Sequence, residues 1–261
     1  MAEILIKNLR KEFGNFTAVE SSSFRIEDGE FFMLLGPSGC GKTTTLRMIA
    51  GLELPTSGSI YIDGDEVSQK PASQRDIAFV FQMFALYPHM NVRKNISYPL
   101  VSQGMPRAQV RQKVEEVGGI LGITELLDKR GGGLSGGDRQ RVALGRAIVR
   151  DSKCFLMDEP LGALDAEFRE YMAEELRSLH DRMGATTVYV THDQLEAMQM
   201  GDKIVVMNHG VVEQFGRPQD IYDKPATLFV AEFIGSPPMN FLKFAGHVEA
   251  GAERVMLHHQ A

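Results

Sequence analysis

The stretch Phe31–Thr43, FFMLLGPSGCGKT, decides the fold of this chain. Its first five residues form a continuous apolar run, which is typical of a strand buried on both faces of a sheet. The spacing of apolar residues in Thr43–Leu52 predicts a helix directly after it. The glycine-rich segment between them, Gly36–Thr43, fits the pattern G-x-x-x-x-G-K-[ST]. Strand, glycine loop and helix in this order predict a phosphate-binding loop.

Each part of this loop has a physical reason. Glycines let successive backbone N–H groups turn inward around phosphate oxygens, and the following helix adds its positive N-terminal end. Lys42 is expected to reach the β- and γ-phosphates of ATP, and the Thr43 hydroxyl to hold Mg²⁺. The residues expected to contact the nucleotide here are Gly36, Pro37, Ser38, Gly39, Cys40, Gly41, Lys42, Thr43 and Thr44.

A second apolar run, Cys154–Met157, ends in two acids. A buried strand can deliver a carboxylate at its C-terminal end, beside a phosphate loop. We therefore expect Asp158 to hold Mg²⁺ through water, and Glu159 to polarise the attacking water as a general base. Without the phosphate loop, an ordinary acidic turn before Pro160 would be the preferred interpretation.

Short apolar runs alternate with helical patterns along the rest of the chain. This alternation predicts an α/β sandwich with a largely parallel sheet. Between Pro88 and Arg150 the pattern becomes mainly helical, which predicts a helical subdomain inserted at about residues 88–150. Strands are predicted at Glu3–Leu9, Ser23–Glu27, Ser59–Ile62, Ile77–Phe81, Thr187–Val190 and Ile204–Met207, and further helices at Ala108–Leu121, Ala166–Met183 and Gln194–Met200.

The composition argues against several classes of protein. With 261 residues, 43% hydrophobic and 24% charged, the chain is long enough for a full core and ordinary in its amino-acid usage. Its net charge of −6 gives no support to a nucleic-acid partner. No apolar run approaches the ~18 residues of a membrane-spanning helix. Cys40 and Cys154 are too few for a disulfide framework and are expected to be packed thiols.

An ordered series of motifs accompanies the phosphate loop. The series resembles that of ATP-binding cassette (ABC) ATPases, and within them it is most similar to subunits of bacterial sugar importers of the maltose/maltodextrin type. The resemblance runs from Phe13 to about Asn240. The motifs that carry it are a Q-loop at Phe79–Gln82, the importer-type segment Ala85–Met90, the signature Leu134–Gly137, the Walker B strand with Glu159, a D-loop at Gly162–Asp165, a switch-histidine segment at Val190–Gln194, Gly201–Asp202, Gly235–Pro237 and Met239–Asn240.

The resemblance implies the fold and the division into domains. The fold would be an α/β P-loop NTPase of the ABC type, with a RecA-like core, an antiparallel β subdomain and the inserted helical subdomain. Residues 1–235 would form the ATPase domain. Gly235–Pro238 is a boundary signal, and residues 236–261 are expected to open a truncated, OB-like regulatory domain or to form a tail. In that segment His258 and His259 are expected to be solvated rather than metal-bound.

The resemblance also implies roles for residues outside the phosphate loop. Phe13 would stack on adenine, although it could equally be a core residue of a strand. Gln82 would sense Mg²⁺ and the attacking water, and would link the site to the transporter. His192 would contact the γ-phosphate, and Asp165 would lie at the seam of a dimer.

The signature residues Ser135, Gly136 and Gly137 would act in trans on the nucleotide of a second subunit. Ser135 can cap the following helix, whose N-terminal amides present positive potential to the opposing γ-phosphate. ATP would then hold together a homodimer, or a pair with another ABC subunit, and hydrolysis would release it.

The chain departs from the family pattern at three places. Asp138 stands where the family usually has Gln; it fits a capping box with Ser135, but its charge would weaken phosphate binding in trans. Met83–Phe84 replaces Ser-Tyr after the Q-loop, where it would alter the groove for the transporter, and Gly162–Ala163 replaces Ser-Asn in the D-loop. Neither of the last two changes removes a catalytic group.

As a whole, the resemblance implies uptake of a carbohydrate-type solute (a sugar, a polyol or a sugar phosphate) driven by MgATP. The partners would be two transmembrane permease subunits and, indirectly, an extracytoplasmic solute-binding protein. The chain would lie on the cytoplasmic face of the inner (plasma) membrane, as a peripheral subunit. The alternative is a soluble ABC ATPase acting on nucleic acid or ribosomes. Such proteins carry two cassettes or a long inserted coiled coil, whereas this sequence has one cassette and no heptad run.

Overall fold

Strand β3 (Phe31–Leu35) lies inside the larger of two sheets in the computed structural model of the protein. The structure describes residues 2–82, 85–150, 152–162, 164–235 and 239–241. Neighbouring strands of this sheet are parallel, except for one antiparallel pair at its edge. The spatial order of its strands is β10 (Val211–Gly216), β9 (Lys203–Asn208), β3, β8 (Thr186–Thr191), β7 (Cys154–Asp158) and β6 (Ile77–Val80).

A smaller antiparallel sheet packs against this one through a shared apolar core. Its strands are, in spatial order, β2 (Phe16–Ile26), β1 (Ile4–Phe13), β4 (Ser57–Ile62) and β5 (Asp65–Glu66). The resemblance implied such an antiparallel β subdomain, and the fold class stated from the sequence is confirmed.

Alternate side chains of β3 enter two separate cores. Phe32 and Leu34 pack with the smaller sheet and with helix α1 (Lys42–Ala50), whereas Phe31 and Met33 pack with helices on the opposite face. All five residues of β3 are buried, as the apolar run predicted. Burial of each large apolar side chain contributes roughly 1.5–3 kcal/mol, which fixes the strand from which the phosphate loop departs.

Three helices lie between β6 and β7, within the predicted range of the helical subdomain. They are α2 (Val92–Ser102), α3 (Arg107–Ile120) and α4 (Gly136–Ile148). Gly145 lets them approach closely, since a Cβ there would lie 3.1 Å from a methyl carbon of Leu121 and 3.2 Å from one of Ile96. The other helices are α5 (Ala166–Met183), α6 (Gln194–Met200), α7 (Pro218–Asp223) and α8 (Leu228–Phe233), with 3-10 turns at Ala72–Gln74, Thr124–Leu126 and Gly131–Gly133.

The structure corrects the bounds of the first hairpin. The sequence predicted strands at Glu3–Leu9 and Ser23–Glu27, but β1 continues to Phe13 and β2 begins at Phe16. The pairing of β1 with β2 contains register shifts at three places. Such bulges interrupt the alternation of buried and exposed side chains, which is why the sequence pattern fades there. Strands β5 and β10 and helices α7 and α8 were not predicted.

Some predictions fall on residues outside those described. Met83 and Phe84 after the Q-loop, Ala163 of the D-loop, and residues 236–238 and 242–261 are among them, including the boundary signal and both terminal histidines. The division at residue 235 therefore stays a prediction. Within the described ranges, no helix is both long and apolar enough to span a membrane. Cys40 and Cys154 are free and buried, as expected, and burial raises the pKa of the Cys154 thiol to about 12.

Candidate active site

The phosphate loop leaves the end of β3 and closes where α1 begins at Lys42. Two of its glycines are required by their surroundings. Gly41 has φ +105°, and a Cβ there would lie 2.5 Å from the carbonyl oxygen of Ala18. A Cβ on Gly36 would overlap the carbonyl oxygen of Met207. The loop is thus pressed against neighbouring backbone, where only glycine fits.

The ammonium of Lys42 is held inside this loop. Its Nζ donates hydrogen bonds to the carbonyl oxygens of Gly36 (2.7 Å) and Pro37 (2.8 Å), and the residue is only 4% exposed. A cation fixed at the start of a helix reinforces the positive potential of the helix N-terminus. The loop therefore offers an anion a concentrated positive site made of backbone amides and one ammonium.

Thr43 and Asp158 meet beside the loop. The Thr43 hydroxyl donates to a carboxylate oxygen of Asp158 at 2.8 Å, and Asp158 ends β7. Burial raises the pKa of the Asp158 carboxyl, and the Thr43 hydrogen bond and nearby cations oppose that shift. A hydroxyl and a carboxylate are hard oxygen donors, which suit Mg²⁺. Among the described residues there is no group of three or more His, Cys, Asp or Glu side chains that could hold a metal ion.

Two predicted site residues converge on the carboxylate of a third. Gln82, Glu159 and His192 follow β6, β7 and β8, which are neighbours in the parallel sheet. The Gln82 amide nitrogen donates to Glu159 Oε2 at 3.0 Å, and His192 Nδ1 lies 3.3 Å from Glu159 Oε1. The carboxyl ends of parallel strands meet at one edge of a sheet, which brings these side chains together.

The backbone of Glu159 is held in an uncommon conformation. Its φ is +46°, a region that non-glycine residues seldom adopt and that costs of order 1–3 kcal/mol. Its N–H donates to the Val190 carbonyl (3.0 Å) and its own carbonyl accepts from the Gly162 N–H (3.2 Å). These hydrogen bonds hold the backbone of Glu159 in place, and with it the carboxylate between Gln82 and His192.

Phe13 lies at the tip of the first hairpin. Its side chain is 48% exposed, so the alternative of a core strand residue is wrong. The ammonium of Lys11 lies 4.7 Å from the centre of its ring. The same hairpin approaches the phosphate loop, since Ala18 in β2 lies against Gly41. Phe16 at the tip is also exposed. The sequence did not indicate it, because the alternation of apolar and polar residues is lost in this part of the hairpin. The adenine contact of Phe13 stays a prediction.

The signature stretch begins α4. Ser135 is its N-cap, and its hydroxyl oxygen accepts the N–H of Asp138 at 3.1 Å, which confirms the predicted cap. Ser135 and Gly136 are exposed. Among the described residues no hydrogen bond or ion pair joins Ser135, Gly136 or Gly137 to the phosphate loop. Gly137 packs instead near Leu164, from which a Cβ would lie 3.0 Å.

The Asp138 carboxylate forms an ion pair with Arg141, one turn further along α4. The Arg141 guanidinium also donates to the carbonyl oxygen of Gly122 at 3.0 Å and lies 4.9 Å from the centre of the Phe168 ring. The sequence reasoning missed Arg141, although the i, i+3 spacing of opposite charges on a helix could have indicated it. The Asp165 carboxylate caps α5 by accepting the N–H of Phe168 at 2.9 Å. Its predicted place at a dimer seam is untested.

The fold and the loop after β3 define a P-loop nucleotide-binding protein. Comparisons with known proteins give the family. The family model described as ABC transporter matches residues 19–162. The chain is 55% identical to the trehalose/maltose import ATP-binding protein MalK of Thermococcus litoralis, over 98% of this chain and 72% of that one. It is 54% identical to the sn-glycerol-3-phosphate import ATP-binding protein UgpC of a Ruegeria species, over 96% of this chain and 71% of that one.

A solved structure agrees with these relatives. The ATP-binding cassette MJ0796, a dimer in a post-hydrolysis state with ADP and Pi bound, matches with a TM-score of 0.75 at 32% identity, over 82% of this chain and 98% of that one. The chain belongs to the ABC transporter family, whose ATP-binding cassettes are ATPases. The chain spans 62% to 72% of the length of the curated relatives that it matches. The names of these relatives give no support to the alternative of action on nucleic acid or ribosomes.

Proposed function

We propose that the chain is the ATP-binding and ATP-hydrolysing subunit of an importer for a carbohydrate-type solute, such as a sugar, a polyol or a sugar phosphate. The names of MalK and UgpC support the solute class. The observation that carries the hydrolytic role is the convergence of Gln82 and His192 on the carboxylate of Glu159. A carboxylate oriented from both sides beside a phosphate loop is what a general base requires.

Glu159 is the general base of the proposed reaction. Its carboxylate accepts a proton from a water molecule whose oxygen attacks the γ-phosphorus of ATP, while the bond from that phosphorus to the bridging oxygen of ADP breaks. Gln82 orients the carboxylate, and His192 contacts the γ-phosphate. Lys42 balances the charge of the β- and γ-phosphates from inside the loop. ADP and phosphate are the products.

Thr43, Asp158 and Gln82 are the proposed residues around Mg²⁺. When bound, the ion would neutralise charge on the β- and γ-phosphate oxygens. The hydrogen bond of 2.8 Å between Thr43 and Asp158 supports this pairing, because it places the two oxygens side by side next to the loop. Asp158 has to be ionised for this role, and the hydrogen bond from Thr43 favours its ionised form.

Two copies of the chain form the working unit in this proposal. Ser135, Gly136 and Gly137 of one copy contact the nucleotide held by the phosphate loop of the other, with Asp165 at the seam. The exposure of Ser135 and Gly136 and the dimeric state of the MJ0796 cassette support this arrangement. The homodimer works with two membrane permease subunits and, through them, with an extracytoplasmic solute-binding protein. Its place is the cytoplasmic face of the inner membrane.

The substitution Glu159→Gln tests the hydrolytic role. It keeps the size and polarity of the side chain but removes the proton acceptor. We expect turnover of MgATP by the purified chain to fall at least about 100-fold. Binding of ATP should stay within about threefold, because the phosphate loop is untouched. Glu167→Gln is the matched control, since Glu167 lies in the first turn of α5 and has no proposed role. Unchanged hydrolysis by Glu159→Gln would show that the base is assigned wrongly.

Fractionation of cells separates the importer from its alternative. We expect the chain to sediment with membranes and to be retained there by two integral membrane proteins that copurify after detergent extraction. Addition of ATP with the Glu159→Gln chain should strengthen that association, because hydrolysis no longer opens the dimer. Sedimentation with ribosomes or DNA, with no membrane-bound fraction, would contradict the import role.

A further inference from the structure

A buried carboxylate lies behind the loop that carries His192. Glu196 belongs to α6 and is only 7% exposed. One of its oxygens, Oε2, accepts hydrogen bonds from the Tyr189 hydroxyl (2.9 Å) and from the Thr191 hydroxyl (2.8 Å). Both donors belong to β8. Burial of a carboxylate is costly unless such bonds satisfy it, so the three side chains depend on one another.

The Thr191 hydroxyl extends this network into the loop itself. While it donates to Glu196, its oxygen accepts the backbone N–H of Asp193 at 2.9 Å. The Asp193 carboxylate caps α6, accepting the N–H of Leu195 at 2.8 Å and that of Glu196 at 3.3 Å. His192 therefore lies between two residues whose positions are fixed by hydrogen bonds on either side of it.

The backbone before His192 is fixed as well. Thr191 pairs with Leu35 in the parallel ladder, directly before the phosphate loop begins at Gly36. The preceding carbonyl, that of Val190, accepts the N–H of Glu159. The network thus connects the phosphate loop, the candidate base and the histidine loop within a few residues.

Packing does little to hold the side chain of His192 in place. It is 57% exposed, and its contact with Glu159 Oε1 is 3.3 Å long. An exposed side chain with few contacts is placed by its backbone. A further charged contact of the loop comes from α5, where Arg169 lies 3.5 Å from the Asp193 carboxylate.

We propose that Thr191 and Glu196 are positioning residues for the reaction: the buried carboxylate holds the Thr191 hydroxyl, and that hydroxyl holds the backbone on which His192 reaches the reacting phosphate. The positioning role rests on the proposed role of His192. Neither residue touches ATP; both act through the backbone between Thr191 and Asp193.

The substitution Thr191→Val tests this role. Valine has nearly the same shape but can neither donate to Glu196 nor accept from Asp193. We expect kcat for MgATP hydrolysis by the purified chain to fall about tenfold, with KM for ATP changed less than twofold. Thr191→Ser restores the hydroxyl and should recover at least half of the original kcat. Tyr189→Phe is the matched control: it removes the other hydroxyl from the same carboxylate oxygen but not the link to the loop, so kcat should stay within threefold.

A double-mutant cycle separates positioning from general support of the fold. In the His192→Ala background, measured by single-turnover phosphate release, Thr191→Val should lower the residual rate less than twofold, because the side chain that it positions is gone. Thermal midpoints of all variants report folding. An equal tenfold loss in both backgrounds, or a wild-type kcat for Thr191→Val, would overturn the positioning role alone. Full turnover by His192→Ala would overturn the proposed role of His192, and the positioning role with it.

Discussion

The phosphate loop and the signature stretch are both rich in glycine, but their glycines meet different surroundings. A Cβ on Gly41 would lie 2.5 Å from a backbone oxygen, and one on Gly36 would overlap another. A Cβ on Gly136 would meet no described atom within 4 Å apart from its own neighbours. The chain's own packing therefore requires glycine at positions 36 and 41, whereas nothing described within the chain requires it at Gly136.

This difference fits a site divided between two copies. Gly36 and Lys42 of the phosphate loop are buried, and Gly41 lies against the backbone of Ala18, so changes at these positions act on folding and binding together. Ser135 and Gly136 are exposed on the capped start of α4, where the backbone N–H groups of the first turn have no partner within the helix. Replacing Gly136 should act on turnover without lowering stability, whereas replacing Ser135 would also remove the cap of α4. Substitutions in the two regions therefore test whether the site is divided in this way.

The largest expected effect is that of Gly41→Ala. The new methyl group would collide with the Ala18 carbonyl, and alanine would be held at φ +105°. Overpacking and backbone strain each cost of order 1–3 kcal/mol, so we expect the free energy of unfolding to fall by about 3 kcal/mol or more. Chemical denaturation with a spectroscopic probe of folding measures this loss.

Gly39→Ala is the control for Gly41→Ala. Gly39 also has a positive φ, +78°, but no described atom beyond its chain neighbours lies within 4 Å of the position of a Cβ. Only the conformational strain of about 1–2 kcal/mol should remain. Equal losses for the two substitutions would show that collision with β2 does not distinguish the loop glycines.

Gly136→Ala should separate stability from turnover. At the first turn of α4 alanine is a better helix former than glycine, by up to ~1 kcal/mol, so the free energy of unfolding should be unchanged or slightly higher. The methyl group would stand on the surface proposed to face the partner's nucleotide. We expect turnover at saturating ATP to fall tenfold or more, equivalent to about 1.4 kcal/mol.

Gly132→Ala supplies the comparison for that experiment. Gly132 is likewise exposed with no described atom near its Cβ position, but it precedes the signature residues. Its turnover should stay within twofold of the original. If Gly136→Ala also left turnover unchanged, the open surface at the start of α4 would not be the second half of the site.

Local patterns in the sequence predicted much of the fold. The bounds of α5 and α6 agree with the predicted ones, and β3 agrees residue for residue, because periodicity and apolar runs are local signals. The bulged part of β1 and β2 escaped prediction, because bulges remove the period of two. Strand β10 escaped because only part of its surface is buried.

In the site, Glu159 followed from the sequence itself, because the apolar run of β7 ends in two acids, whereas Gln82 and His192 were assigned by the resemblance. Contacts between the side chains of separate elements, or between alternative partners, were not predictable from the sequence. Thr191 binds Glu196 across the start of α6, and no spacing rule gives that contact. Asp138 was read as the second member of a capping box with Ser135, but its carboxylate pairs with Arg141. The ion pair with Arg141 determines how much turnover should change when Asp138 is replaced.

The smallest expected effect is that of Asp138→Gln. Its carboxylate and the Arg141 guanidinium are each about four-fifths buried and neutralise one another, so little net charge faces the proposed partner phosphate. The cap survives the substitution, because Ser135 binds the backbone N–H of residue 138 and not its side chain. We expect turnover to change by less than about tenfold, ~1.4 kcal/mol, and little further with salt. Asp128→Asn, which loses a largely exposed ion pair with Arg93, is the control and should leave turnover unchanged. A hundredfold rise for Asp138→Gln that shrinks in high salt would mean that the carboxylate still repels phosphate across the seam, and that Arg141 does not neutralise it.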